Sequence, residues 1–204
     1  MNQQRLALLE ELAAMGHAYD QQATQRDGRY LNITPDTGPF LALLLKATRA
    51  QAVLEVGTSN GYSTIWLADA VQPGGGHVTT LEASATKVAQ ATANFEQAGL
   101  TSCITLVHTP AEDWLPTAAA AAFDFVFLDA DRTQYAAWWP WLLALLRPGG
   151  LLVADNASSH PTDFTAFDAL VAATPGVARV LVPLGKGELL VWKDALPPTS
   201  IPGH

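Results

Sequence analysis

The sequence predicts an α/β fold: a seven-stranded, mostly parallel sheet with helices on both faces and an antiparallel strand near the C-terminus. Three observations predict it. From Gln51 onward, short β-branched runs alternate with longer helical patterns, and such alternation feeds successive strands into a parallel sheet. The runs are nearly continuous in apolar residues, as strands covered on both sides must be. The last two are separated only by Pro183-Leu184-Gly185-Lys186-Gly187. That link has hairpin length and glycines to turn on, so one strand there runs against its neighbour.

In chain order, the first fifty residues read as helical, with helices over 3–22 and 36–49 and a loop over 27–35 between them. Strands follow over 52–56, 77–81, 104–107, 123–128 and 151–154, each with the length and composition of a buried strand. Helical patterns fall between them at 61–71, 84–98, 111–119 and 133–146, and a fifth follows at 162–173. Strands over 178–182 and 188–192 form the hairpin. With no repeat, low-complexity linker or internal boundary, residues 1–204 read as one domain. It comprises N-terminal helices to residue 50, a core over 51–193 and a frayed tail over 194–204.

The 204 residues suffice for one α/β domain with a two-sided core. Charged residues make up 15% and apolar residues 49%, which argues for a packed chain and against disorder. Eleven Lys and Arg face nineteen Asp and Glu, a net charge of −8. Nucleic-acid binding relies on basic side chains neutralising phosphates, so that partner is not expected. The one cysteine, Cys103, excludes an internal disulfide or a cysteine metal cluster and reads as a buried strand thiol. Met1-Asn2-Gln3-Gln4-Arg5 leads into a segment broken by glutamates rather than a signal-peptide apolar stretch. No window reaches the roughly eighteen apolar residues of a membrane span. A cytoplasmic protein without a membrane partner is expected.

The chemistry concentrates at strand ends. Val53-Leu54-Glu55-Val56-Gly57-Thr58-Ser59-Asn60-Gly61-Tyr62-Ser63 reads as strand, glycine turn and helix start. Gly57 lets the backbone approach a ligand, and Gly61 lets the helix pack closely. The N–H groups of a helix start favour an anionic group. The spacing is not G-x-G-x-x-G, which argues against a nicotinamide or flavin dinucleotide. Glu82, about twenty residues further on, suits the two hydroxyls of a ribose; alternatively it is a solvated carboxylate at a strand end. Phe123-Asp124-Phe125-Val126-Phe127-Leu128-Asp129 and Leu151-Leu152-Val153-Ala154-Asp155-Asn156 deliver Asp129, Asp155 and Asn156 to the same sheet edge. Taken singly, these residues read as loop or helix caps. Together, above a glycine turn, they form an all-oxygen set suited to Mg²⁺ or Mn²⁺.

These stretches resemble the cation-dependent O-methyltransferase family that includes catechol O-methyltransferase and caffeoyl-CoA O-methyltransferase. The likeness is carried by Leu54-Glu55-Val56-Gly57-Thr58 with Gly61-Tyr62-Ser63, Leu81-Glu82, and Phe127-Leu128-Asp129-Ala130-Asp131 with Tyr135. It continues through Leu146-Arg147-Pro148-Gly149-Gly150 and Asp155-Asn156, and Thr34-Pro35-Asp36-Thr37-Gly38 matches the family's start. It covers about residues 34–192. The resemblance implies a Rossmann-like class I methyltransferase fold, S-adenosylmethionine as cofactor, and a divalent cation, Mg²⁺ foremost with Mn²⁺ or Ca²⁺ as substitutes. It further implies a small phenolic acceptor with adjacent hydroxyls and a homodimer. Gly57 and Ser63 would hold the methionine end with Glu55 shaping the turn from beneath. Glu82 would take the ribose, and the Ala111 backbone, with Glu112 or Asp113, the adenine. Asp129, Asp155 and Asn156 match the family's metal ligands.

One departure bears on catalysis. The family commonly places a lysine three residues after the first metal aspartate as general base, and this chain has Arg132. Arginine stays protonated and cannot accept the proton. The expectation is that the cation does most of the deprotonation while Arg132 stabilises the oxyanion or a substrate carboxylate, with Arg132 and Asp129 as the catalytic candidates; an outward-facing arginine touching solvent is the alternative. His160 is a candidate substitute base or a solvated loop histidine. Trp138, Trp139 and Trp141 share one helix and read as core or dimer interface rather than a substrate cage. Three further functions compete: a nicotinamide dehydrogenase, a tRNA methyltransferase, and a cofactor-binding protein without turnover.

Overall fold

The computed structural model describes residues 1–22 and 29–195. Its elements run α1 (Gln3–Gln22), α2 (Thr37–Thr48), β1 (Ala52–Val56), α3 (Tyr62–Val71), β2 (His77–Glu82), α4 (Ala85–Ala98) and β3 (Ile104–His108). They continue through α5 (Ala111–Trp114), β4 (Phe123–Leu128), α6 (Tyr135–Leu145), β5 (Leu146–Ala154), α7 (Pro161–Ala172), β6 (Val177–Val182) and β7 (Glu188–Lys193). The seven strands form one sheet in the order β3-β2-β1-β4-β5-β7-β6. Neighbours from β3 to β5 pair in parallel, and β7 runs antiparallel to both β5 and β6. The expected mixed sheet is therefore present, with β7 inserted between β5 and β6. Strand order reverses direction between β1 and β4, and open α/β sheets bind ligands at that switch point.

Strand β4 shows how the sheet sorts its two cores. Successive side chains point to opposite faces. Phe125 and Phe127 join Leu8, Leu41, Leu45, Ile65, Phe95 and Val153 beneath α1–α4, while Val126 and Leu128 join Tyr135, Trp138, Trp139, Phe164 and Phe167 beneath α5–α7. Arg5 anchors α1 through an ion pair to Asp69 at 2.7 Å. Trp138 and Trp139 are buried and Trp141 packs against the same cluster, so the core reading of these residues holds. The Trp139 indole N–H donates to Thr174 Oγ1 at 2.9 Å, and its ring meets Phe167 edge-on at 5.7 Å.

Four expectations shift. The helix expected to residue 119 ends at Trp114 and tightens into a 3₁₀ turn over Leu115–Thr117, where Pro116 lacks the N–H that α-helical bonding needs. Helix α6 is likewise entered through a 3₁₀ turn, Arg132–Gln134. Strand β5 starts at Leu146 rather than 151, pairing with Phe123 before a register shift. Cys103 lies in the 3₁₀ turn before β3, where its buried thiol donates to the Leu100 carbonyl at 3.2 Å. Residues 27 and 28 of the expected loop and 196–204 of the expected tail lie outside the described residues.

Truncating Phe125 to alanine removes a ring with no exposed surface and is expected to cost about 3–5 kcal/mol. Val180→Thr, on the exposed outer strand β6, should stay within about 0.5 kcal/mol. Urea unfolding of both variants checks the contrast.

Candidate active site

The turn after β1 is held by strand ends on either side. Gly57 and Thr58 donate their N–H groups to the Leu81 carbonyl of β2 at 3.1 and 3.2 Å, and Asp129, just after β4, donates to the Val56 carbonyl of β1 at 3.0 Å. Gly57 adopts φ +104°, and a Cβ there would overlap the Asp129 carbonyl; only glycine fits where these two backbones meet. Beneath the turn, the fully buried Glu55 accepts from Ser63 Oγ and Thr80 Oγ1, both at 2.6 Å, and from Thr64 Oγ1. Burial pushes its carboxyl up to about 7, against the pull of the three hydroxyls. At the end of β2, Glu82 accepts from Ser59 N at 2.8 Å and Ser84 N at 2.9 Å. Each oxygen keeps further acceptor capacity, and the residue borders a cavity.

A continuous cavity of about 1160 Å³ runs from this turn along the strand ends. Gly57, Ser63, Glu82, Ala111 and Glu112 line one part, and Asp129, Arg132, Asn156, His160 and Lys186 the other. Glu55 and Asp155 stand behind its wall, and Asp113 does not border it. Trp138, although a core residue, also contributes to the lining.

The acidic end continues the same backbone ladder, Asp155 N donating to the Leu128 carbonyl at 3.0 Å. Asn156 takes a left-handed backbone at φ +68°, a conformation asparagine tolerates better than most residues. Its N–H donates to Asp155 Oδ1 at 2.6 Å, and its Nδ2 bridges Asp155 Oδ2 at 2.9 Å and Asp129 Oδ1 at 3.1 Å. Burial and then the charge of Asp155 push the Asp129 carboxyl well above the usual range. Burial raises Asp155 too, against the pull of the Asn156 N–H and the Lys186 charge. The Tyr135 hydroxyl accepts from Ala130 N at 2.8 Å, which secures the loop after Asp129. Arg132 is only 8% exposed, so the outward-facing reading of this residue is wrong. Its nearest carboxylate, Asp163, is 3.9 Å away. His160 is exposed, with Nδ1 at 2.9 Å from Ser159 Oγ.

This arrangement of glycine turn, strand-end glutamate and paired aspartates accompanies a family match over residues 9–193, to the O-methyltransferase model. The chain belongs to the O-methyltransferase family. A catechol O-methyltransferase of Niastella koreensis is 43% identical over 129 residues, covering 62% of this chain and 58% of that protein. One from Mycobacterium tuberculosis is 42% identical over 124 residues, 61% of this chain and 56% of that protein. The match thus spans less than two thirds of either relative. An O-methyltransferase of Bacillus cereus, solved in complex with S-adenosylhomocysteine, superposes with a TM-score of 0.79 at 31% identity, covering 92% of this chain and 91% of its own. The Rossmann-like class I fold expected from the resemblance is shared with such structures.

Two further residues of the acidic end, Glu188 and Lys186, carry no motif in the sequence. Glu188, fully buried at the start of β7, accepts from Thr37 Oγ1 at 3.0 Å. Burial and the Asp155 charge push its carboxyl up to about 9. Its signal was available, an acid opening the apolar run Leu189-Leu190-Val191-Trp192. Lys186 sits within the predicted turn over 183–187, which gives it no signal of its own. Because the folded Glu55 carboxyl is raised from 4.5 to about 7, its contribution to stability is complete below pH 4.5 and is lost as pH rises through 7. Glu55→Gln should make the fall in unfolding free energy between those pH values shallower by about 3 kcal/mol. Urea titrations at pH 4.5 and 7.5 measure it; an unchanged slope contradicts the assignment.

Proposed function

We propose that this chain transfers the methyl group of S-adenosylmethionine to a hydroxyl oxygen of a small, catechol-like molecule with vicinal hydroxyls, using a divalent cation held by Asp129, Asp155 and Asn156. The observation that carries the reading is one continuous cavity bordered both by Glu82 and the glycine turn and by Asp129 and Asn156. Family membership, the S-adenosylhomocysteine complex of the Bacillus cereus neighbour and the catechol O-methyltransferase relatives support it.

Among the described residues no group of three His, Cys, Asp or Glu is arranged to hold a metal ion. The set invoked here counts an amide. Its fit rests on the crowding of Asp129, Asp155 and Glu188 in a buried space, where the repulsion between carboxyl groups calls for positive charge. The Asn156 amide lies between the two aspartates, and a half-turn of it presents an oxygen there. Hard cations prefer such oxygen donors. A bound cation would supply Lewis acidity that lowers the acceptor hydroxyl from a phenolic pKa of about 10.

The chain's own residues do the positioning. Gly57, lacking a side chain, leaves its peptide open to the methionine end. Ser63, its hydroxyl held by Glu55, borders the same region. Glu82 offers its free lone pairs to the ribose hydroxyls, and Ala111 borders the adenine. Asp129 borders the cavity and its backbone meets Gly57, so an acceptor hydroxyl held there would lie beside the cofactor end of the site. Holding the two reactants in line supplies most of what an already activated sulfonium requires.

The test is production of S-adenosylhomocysteine from S-adenosylmethionine and a panel of vicinal diphenols, with Mg²⁺ or with EDTA. Turnover should require Mg²⁺ and should fall at least about a hundredfold in Asp155→Asn, roughly 2.7 kcal/mol of transition-state stabilisation. Turnover that is undiminished by EDTA and by the substitution would refute the cation's role.

A further inference from the structure

We propose that Arg132 and Lys186 form a carboxylate-binding pair, so that the preferred acceptor is a vicinal diphenol carrying an ionised carboxylate. This rests on the methyl-transfer reading above and narrows its substrate class.

Arg132 is the first support. Its side chain is more than nine-tenths buried and borders the cavity, yet Nε is without a hydrogen-bond partner. Asp163, at 3.9 Å, is beyond hydrogen-bonding distance and is itself well exposed. A buried guanidinium whose one carboxylate neighbour stands at 3.9 Å is costly unless something completes it, and its planar fork matches a carboxylate bidentately.

Lys186 is the second. It lies in the β6–β7 hairpin, half-buried and lining the same cavity. The hairpin is fixed in place: Ser158 and Ser159 donate to the Lys186 carbonyl at 3.0 and 3.1 Å, and Ala157 donates to the Gly187 carbonyl at 2.9 Å. Gly187 stands at φ +91°, where a Cβ would overlap Ser158. The ammonium has no hydrogen-bonded or ion-paired partner within 4 Å among the described residues, although Asp129 and Asp155 both feel its charge. Two cations thus line the cavity beside Asp129 and Asp155, one from the turn after β4 and one from the hairpin, and the charge of each acts on both aspartates. A neutral diphenol gives the guanidinium no anionic partner, and a carboxylate on the ring or its side chain would supply one.

The experiment compares 3,4-dihydroxybenzoate with its methyl ester, which keeps both hydroxyls and removes the charge. Binding is measured calorimetrically to the protein loaded with S-adenosylhomocysteine and Mg²⁺, and kcat/KM with S-adenosylmethionine. The acid should be favoured by at least about tenfold in both. The ratio should fall towards one in Arg132→Met, fall partway in Lys186→Met, and be partly kept in Arg132→Lys. Thermal unfolding and S-adenosylhomocysteine affinity establish that each variant is folded, and the wild-type ratio decides the question even if one is not. Equal handling of acid and ester by the wild type, or a ratio that survives both methionine substitutions, overturns the pair. Methylation of ester and unsubstituted catechol without preference for the acid strikes this inference alone; methylation of none of the three removes the parent reading with it.

Discussion

Backbone hydrogen bonds continue past the ends of four parallel strands, and the site depends on them. Gly57 N reaches Leu81 O, Asp129 N reaches Val56 O, and Asp155 N reaches Leu128 O, each at 3.0–3.1 Å. Each bond fixes the first loop residue after one strand against the last or next-to-last residue of its neighbour. The side chains that leave the sheet there are thus set relative to one another by peptide geometry rather than by flexible loops. A parallel register makes this possible, because every strand from β2 to β5 delivers its C-terminal end to the same edge. Gly57 is where the constraint is tightest, since the Asp129 carbonyl occupies the space of its missing side chain.

That rigidity lets the fold hold groups that would otherwise move apart. Glu55, Asp155 and Glu188 are buried acids, and burial disfavours the charged form of each. They divide into two kinds. Glu55 is surrounded by three hydroxyl donors and ties α3 to β1 and β2, a structural use of a carboxylate. Asp155 and Glu188 instead crowd one another and Asp129, with one amide and one threonine to satisfy them. Asn156 accepts a left-handed backbone in doing so. Strain and unmet polar groups gathered at a cavity wall are features of a functional site rather than of a core.

Much of this was legible in the sequence, for reasons that differ by element. Strands β1 and β4 matched to the residue because Ala52–Val56 and Phe123–Leu128 are short apolar runs bounded by turn residues. Asp129, Asp155 and Asn156 could be placed at one edge because parallel topology leaves no choice of edge. The helix after β3 was overextended because alanine-rich residues 117–122 have helical propensity that Pro116 and the following turn override. Glu188 and Lys186 were not found because their roles arise from the insertion of β7 between β5 and β6, a pairing that hairpin length alone does not specify. The burial of Arg132 depends on how α7 packs over the turn before α6, a tertiary fact with no local signature.

The claim on which the rest turns is that strand-end geometry makes Asp129, Asp155 and Asn156 one cation site. Titration of the protein with Mn²⁺, followed by electron paramagnetic resonance with and without S-adenosylhomocysteine, tests it directly. The account predicts saturable binding that is displaced by Mg²⁺ and lost in Asp129→Asn. Absence of saturable binding, or binding undiminished by that substitution, would contradict it.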